Sequence, residues 1–167
     1  GVTCVHGHAE IHDPHCVFVD GVGYKTKNIV IASGAEPAAL PIPGLDEDDC
    51  FTSMNLWSMQ ELPERLVVVG GGPIGCELAQ AFNRLGSDVT LVETEERLLP
   101  REDKEVGTIM ADIFRREGVR VLTGYRPDRC VGKCLSVTGS ISVEELNFDR
   151  ILIAAGRRPR TTGMGIE

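Results

Sequence analysis

The stretch GGGPIGCE, residues 70–77, combines residue types and a spacing that are typical of a phosphate-binding turn. Gly70, Gly72 and Gly75 form a Gly-x-Gly-x-x-Gly pattern between an apolar strand and a helix. The first glycine permits a sharp turn, the second lets the backbone approach a pyrophosphate, and the third lets the helix pack against the strand. The helix start then offers free N–H groups and a positive dipole end to the phosphates. The pattern predicts a dinucleotide site.

An acidic residue, Glu93, ends the next predicted strand. Its carboxylate can accept hydrogen bonds from the hydroxyls of an adenosine ribose, and it repels a 2′-phosphate. Glu95 and Glu96 add to that repulsion, whereas Arg97 or Arg101 could swing onto a phosphate. We therefore expect NAD(H) in preference to NADP(H), and the two arginines keep the alternative open.

A histidine-rich segment, residues 4–16, holds all four histidines and two of the six cysteines. His6 and His8 alternate with other residues and are predicted to share one face of a strand. Together with Cys4 or Cys16 they could form a zinc site, but the ligand spacing matches no common zinc module. We expect no physiological metal here; adventitious nickel or zinc is the alternative.

Three other cysteines have competing interpretations. Cys130 and Cys134, in the stretch CVGKC, invite a redox role, but they are expected to be ordinary thiols on a pair of strands. Cys76 lies at a helix N-terminus, which can lower the pKa of a thiol. Because Cys76 directly follows the packing glycine, burial is the expected explanation for it.

The composition narrows the possible functions. The chain has 167 residues and a formal net charge of −8, which argues against nucleic acid or an anionic membrane as the main partner. No apolar run reaches the roughly 18 residues of a membrane span, and no signal-peptide pattern begins the chain. Six cysteines without such a signal favour reduced thiols and a cytoplasmic location.

Alternating strand and helix patterns predict an α/β fold with a parallel sheet. The predicted helix 74–85 has apolar residues at helical spacing and ends at Gly86, and a second helix ends at Gly118. Irregular strands follow the third strand of this unit, and Asp13–Pro14 is a predicted turn. The predicted strands are 17–19, 28–32, 66–69, 88–93, 119–122 and 150–156.

Four ordered motifs carry a family resemblance over essentially the whole chain: NIVIASGAEP, PIPGL, LPERLVVVGGGPIGCELAQAFNRLGSDVTLVE and RILIAAGRRP. They resemble the FAD-dependent pyridine nucleotide–disulfide oxidoreductases, which include dihydrolipoamide dehydrogenase, glutathione reductase and mercuric reductase. ELAQAFNRLGS is most similar to mercuric reductase, whereas Glu93 is more like dihydrolipoamide dehydrogenase. The resemblance implies a Rossmann-like sheet with a βαβ nucleotide-binding unit and an added β-meander, flanked by β pieces of an FAD domain.

The resemblance also implies roles on the flavin side. Ala32, Ser33 and Gly34 are similar to the Ala-Thr-Gly segment that closes the FAD domain against the flavin, with serine in place of threonine. AAGRRPR is similar to a second such segment, in which Arg160 replaces the usual asparagine.

On the nicotinamide side, Glu77 matches a family glutamate that pairs with a lysine of the FAD domain. Pro73 stands where several members carry a tyrosine that covers the flavin, so a tyrosine gate is absent. Thr94 and Pro100 stand where NADPH-using members carry arginines for the 2′-phosphate, which favours NAD(H). The predicted cofactor contacts also include Ile74 and Gly156.

The resemblance implies an organisation in four segments: 1–40 from the C-terminal part of an FAD domain, 41–64 as a linker, 65–156 as the NAD-binding domain, and 157–167 as the return toward the FAD domain. The family's FAD-binding glycine loop, redox-active cysteines and dimerisation domain with its catalytic histidine would lie outside this chain. No catalytic residue is therefore expected within it.

The expected function is to hold NADH facing a flavin within a larger, homodimeric oxidoreductase. Alone, the chain is expected to be monomeric and to bind nucleotide without turnover. Three alternatives stay open: an NADP(H)-using enzyme like mercuric reductase, a stand-alone module that senses the NADH/NAD ratio, and a metal-binding module.

Overall fold

The computed structural model describes residues 1–166, which form two compact units. Unit 1 contains residues 1–36 and the residues from Arg158 onward, and unit 2 contains residues 37–157. The elements, in chain order, are β1 (Ala9–Asp13), β2 (Cys16–Val19), β3 (Val22–Lys25), β4 (Ala35–Pro37), β5 (Cys50–Thr52), β6 (Arg65–Val69), α1 (Pro73–Leu85), β7 (Asp88–Glu93), α2 (Lys104–Glu117), β8 (Arg120–Thr123), β9 (Arg126–Val131), β10 (Cys134–Thr138), β11 (Val143–Asn147), β12 (Arg150–Ile153) and β13 (Arg157–Pro159).

In unit 1, β1, β2 and β3 form an antiparallel sheet in that order. The predicted strand at 17–19 and the turn after Asp13 are confirmed. The strand expected through His6 and His8 is wrong, because residues 1–8 are outside any strand and Gly7 has φ +154°.

The strand predicted at 28–32 is also wrong: these residues form no strand. Val30 is 88% exposed and Ile31 51% exposed. A continuous apolar run forms a strand when neighbouring strands pair with it and cover both of its faces. The described residues provide no such neighbour for this segment.

Unit 2 is built on a parallel sheet with the strand order β5–β12–β6–β7–β8, as the α/β pattern predicts. The helix and strand bounds around the glycine turn agree with the predicted ones to within about one residue. The last strand is shorter than predicted: β12 ends at Ile153, because residues 154–156 leave the sheet and Gly156 takes φ +126°. Residues 50–52, in the stretch predicted as a linker, form the edge strand β5.

The sheet of unit 2 is covered on both faces, which explains why its strands are apolar throughout. Leu66 and Val68 of β6 pack in a cluster with residues of α1 and α2. Val67 and Val69 point the other way, into a cluster with residues of β9, β10 and β11. The predicted β-meander therefore forms the third layer, where β9, β10 and β11 pair antiparallel.

The two cysteines of CVGKC lie on β9 and β10, as predicted. Cys130 pairs with Leu135 and is buried, whereas Cys134 pairs with Val131 on the opposite face of the hairpin. Each of the six cysteines is a free thiol. No helix in the described part of the chain has the length and apolar composition needed to cross a membrane.

Candidate functional site

The glycine turn connects β6 to α1, and two of its glycines are required by the fold itself. Gly70 has φ +111°, and an added Cβ would lie 2.5 Å from the carbonyl oxygen of Ala154. A Cβ on Gly75 would overlap the carbonyl oxygen of Gly70. These contacts match the predicted roles of the first and third glycines, namely a sharp turn and close packing of helix on strand.

Gly72, the middle glycine, has different surroundings. It is the N-cap of α1 with φ −75°, a conformation open to every residue type. Within residues 1–166, no atom beyond its two chain neighbours lies within 4 Å of a Cβ built on it. Its carbonyl oxygen accepts the N–H of Cys76 at 2.9 Å. The N–H groups of Ile74 and Gly75, in the first turn, have no carbonyl partner four residues earlier in the helix. The turn thus presents backbone donors beside open space.

The turn stands at the point where the strand order of the sheet reverses. From β6 the chain proceeds to β7 and β8 on one side, and it returns to β12 on the other side. The N–H of Ala154, just after β12, donates to the carbonyl oxygen of Val69 at 2.7 Å. In open α/β sheets the crevice at the carboxyl ends of two such strands is the usual position of a ligand. Exposed Gly156 continues from the same end of β12.

Glu93, at the end of β7, is only 6% exposed. Its Oε2 accepts the N–H of Gly71 at 2.5 Å, and its Oε1 accepts the N–H of Glu95 at 2.8 Å and the hydroxyl of Thr94 at 3.1 Å. A carboxylate has about four lone-pair positions, so one acceptor direction remains beyond these three. The carboxylate therefore joins β7 to the glycine turn and keeps capacity for a hydroxyl donor.

The Gly71 peptide is held at its other end as well. Its carbonyl oxygen accepts the N–H of Leu99 at 2.8 Å and the thiol of Cys76 at 3.3 Å. The sequence interpretation did not include Gly71 or Leu99. The available signal was the apolar pair at 98 and 99 within the charged stretch EERLLPRED, because both leucines are buried.

Arg97, one of the two arginines kept as possible phosphate ligands, contacts its own loop. Its Nη1 donates to the carbonyl oxygen of Glu102 and its Nη2 to that of Pro100, both at 2.7 Å. The second candidate, Arg101, is exposed.

A cavity of about 320 Å³ lies between α1 and α2, next to the glycine turn. Pro73 and Glu77 line it, and both are exposed. Cys76 also borders it, but its thiol is buried, and burial together with Glu93 and Glu77 raises its pKa to about 12. Burial therefore outweighs the helix N-terminus, and Cys76 is a protonated donor to the turn.

The residues predicted to lie on the flavin side, Ala32, Ser33 and Gly34, are in unit 1. Ala32, Ser33 and Gly34 are exposed. The hydroxyl of Ser33 donates to the carbonyl oxygen of Arg160 at 2.5 Å, and the backbone N–H of Arg160 donates to the carbonyl oxygen of Gly34 at 3.0 Å. Within residues 1–166, no three histidine, cysteine, aspartate or glutamate side chains are grouped so that they could hold a metal ion.

The comparisons with known proteins agree with this architecture. Residues 1–167 match the family model described as pyridine nucleotide-disulphide oxidoreductase. The chain belongs to this family. This match confirms the resemblance drawn from the four motifs. Members of the family are FAD-dependent and use pyridine nucleotides.

Both enzymes suggested by the motifs are among the family's curated relatives. Mercuric reductase of Staphylococcus aureus is 34% identical over 171 residues, which cover 100% of this chain and 31% of the relative. Dihydrolipoyl dehydrogenase of Thermus scotoductus is 36% identical over 174 residues, which cover 99% of this chain and 37% of the relative. The chain thus spans about a third of the length of these curated relatives.

Two solved structures have a similar fold. The HOCl-induced flavoprotein disulfide reductase RclA from Escherichia coli has a TM-score of 0.77 and 33% identity, covering 96% of this chain and 37% of that chain. The water-forming NADH oxidase from Lactobacillus brevis, with a TM-score of 0.71 and 24% identity, shares the fold.

Proposed function

We propose that unit 2 binds NAD(H) at the glycine turn and presents the nicotinamide to a flavin held elsewhere in a larger FAD-dependent oxidoreductase. The observation that carries the proposal is the open space at Gly72. Gly70 and Gly75 are glycines because a side chain would collide with the backbone, but among the described residues no atom beyond its two chain neighbours lies within 4 Å of a Cβ added at Gly72. Glycine costs backbone entropy, and an external group approaching this position explains its use.

The residues around the turn fit the parts of a dinucleotide. The N–H groups of Ile74 and Gly75 and the positive end of α1 suit a pyrophosphate. The remaining acceptor position of Glu93 suits a ribose hydroxyl, with Thr94 beside it. Glu77, exposed near the N-terminal end of α1, is proposed to face the nicotinamide end.

The preference for NADH over NADPH is proposed from charge. Glu93 is buried and would lie beside a 2′-phosphate, whose two negative charges a buried carboxylate disfavours. Thr94 supplies no positive charge at the position where NADPH-using members of the family carry an arginine.

When bound, NADH and FAD supply the hydride and electron transfer, and the residues of this chain bind and orient them. We propose that Ala32, Ser33 and Gly34 border the flavin in the complete enzyme, and that their exposure here reflects that role. We propose that the binding site for the final electron acceptor and the dimer interface lie in the other two thirds of the parent protein.

The test is calorimetric titration of the chain with NADH and NADPH, repeated on Glu93→Ala. The matched control is Glu96→Ala, which removes the same charge from an exposed neighbour. We expect the wild type to prefer NADH and Glu93→Ala to lose about tenfold or more in NADH affinity, because a hydrogen bond to a charged group is lost. The control is expected to bind as the wild type does. Stronger binding of NADPH, or no binding of NADH, would contradict the proposal.

A further inference from the structure

Arg97 holds the loop that follows β7 in one conformation. Its guanidinium bonds to the carbonyl oxygens of Pro100 and Glu102 at 2.7 Å each, so that one planar fork closes the segment 97–102. Such short hydrogen bonds from a charged donor are among the stronger ones in proteins. The N–H of Glu102 donates to the carbonyl oxygen of Leu99 at 2.9 Å and tightens the same segment.

The closed loop in turn contacts the glycine turn. Leu99 has φ +49°, a left-handed conformation that is unfavourable for a leucine and must be maintained by its surroundings. In this conformation its N–H donates to the carbonyl oxygen of Gly71 at 2.8 Å. The fully buried Leu98 packs on the same glycine, where an added Cβ would lie 2.7 Å from its Cδ2.

The Gly71 peptide is therefore fixed on both sides. Its N–H is held by the carboxylate of Glu93, and its carbonyl oxygen is held by Leu99, which depends on the loop closed by Arg97. Gly71 directly precedes Gly72, so the direction of this peptide determines where the backbone next to the open space lies.

We propose that Arg97 is a positioning residue for the dinucleotide site, and that it acts through Leu99 and Gly71 without contacting the nucleotide. The proposal rests on the proposed function, since it concerns the same turn. It also assigns the guanidinium a role other than the 2′-phosphate ligand considered from the sequence. To reach a phosphate, Arg97 would have to break both bonds to the loop and release the left-handed Leu99.

The experiment compares the wild type with Arg97→Gln, Arg97→Lys and Arg101→Gln. Arg101→Gln is the matched control, because it removes the same charge from an exposed position in the same loop. Each variant is titrated with NADH and NADPH. Amide hydrogen exchange at Leu99 and Gly71 is measured without nucleotide.

If Arg97 positions the turn, Arg97→Gln is expected to lower the affinities for NADH and NADPH by the same factor, roughly 3- to 10-fold, which is about the effect of one hydrogen bond. Exchange at the Leu99 amide is expected to accelerate by a similar factor. Arg97→Lys is expected to recover only part of either loss, because an ammonium lacks the planar fork. The control is expected to match the wild type in NADH affinity and in amide exchange.

If Arg97→Gln lowers the affinity for NADPH but not for NADH, Arg97 is a ligand of the 2′-phosphate and the proposal is overturned. Unchanged exchange at Leu99 in Arg97→Gln would overturn it as well, whatever the nucleotides do. If the wild type binds neither nucleotide, the proposed function fails, and the exchange measurement still decides whether Arg97 holds the turn.

Discussion

Unit 2 and unit 1 differ in how far their apolar side chains are buried. In unit 2 the strands of the parallel sheet are covered on both faces, and side chains such as Val68 and Leu91 are fully buried. None of the described residues of unit 1 has a buried side chain, and Val30 is 88% exposed. Apolar burial is the main stabilising contribution to a fold. Unit 2 therefore contains its own core, whereas the described residues of unit 1 form none.

The largest expected effect comes from a substitution inside the glycine turn. In Gly75→Ala the added methyl group overlaps the carbonyl oxygen of Gly70, so the start of α1 must move away from β6. We expect unit 2 to lose about 3 kcal/mol or more of its free energy of unfolding. Urea unfolding followed by circular dichroism measures this. A loss below about 0.5 kcal/mol, the size of a neutral surface substitution, would show that the close contact is not required.

A pair of valines tests the difference between the units directly. Val68→Ala empties part of the core and is expected to cost about 2 kcal/mol of unfolding free energy, because two buried methyl groups are lost. Val30→Ala makes the same chemical change at an exposed position and is expected to stay within about 0.5 kcal/mol of the wild type. Equal losses in the two variants would mean that unit 1 has a core of its own.

Gly72→Ala separates binding from folding. The backbone conformation at Gly72 suits alanine, and in the described part of the chain no atom beyond its two chain neighbours lies within 4 Å of the new methyl group. We expect the unfolding free energy to change by less than about 0.5 kcal/mol. NADH affinity is expected to fall about tenfold or more, because the methyl group occupies the position where the pyrophosphate approaches. Calorimetric titration beside urea unfolding gives both values. Unchanged affinity would leave the glycine at this position without explanation.

The smallest effect is expected at the opposite end of the sheet. The Asp149 carboxylate accepts the backbone N–H of Arg65 at 2.8 Å and pairs with its guanidinium at 2.7 Å. These bonds lower the pKa of Asp149 below its usual value. The side chain is one third exposed, so solvent screening limits the cost of Asp149→Asn to below about 1 kcal/mol at pH 7.

The pH dependence of this variant follows from the direction of the shift. A carboxyl group with a lowered pKa in the folded state contributes stability above its unfolded pKa and loses it as the pH falls through the folded pKa. The stability difference between wild type and Asp149→Asn should therefore begin to shrink at about pH 4, near the ordinary aspartate pKa, and continue to shrink as the pH falls toward the lowered folded pKa. Unfolding midpoints measured from pH 7 to pH 3 test this. A difference that stays constant over that range would exclude the ion pair as its cause.

The sequence predicted the βαβ unit well, because each of its elements is determined locally. The apolar run 66–69, the glycines at 70, 72 and 75, and the helical spacing up to Leu85 correspond closely to β6, the turn and α1. The strand predicted at 28–32 failed for the opposite reason. A strand forms only with neighbours, and apolar composition does not show whether the chain provides them.

The contacts within the candidate site were less predictable. Glu93 stood out by its type and position, but its bond to the N–H of Gly71 depends on how β7 and the turn approach each other. The left-handed conformation of Leu99 and the two carbonyl contacts of Arg97 have no sequence signature, because leucine rarely adopts that conformation and arginine is common on surfaces.

Backbone amide chemical shifts of the labelled chain, followed during titration with NADH, test most directly whether the glycine turn binds the dinucleotide. The largest shifts are expected in unit 2, at Gly72, Ile74 and Gly75 of the turn and at Thr94 and Gly156 beside it. The chemical shifts of the amides of unit 1 are expected to stay unchanged. Saturable shifts confined to unit 1, or to the cavity between α1 and α2 without the glycine turn, would contradict the assignment of the glycine turn as the dinucleotide site.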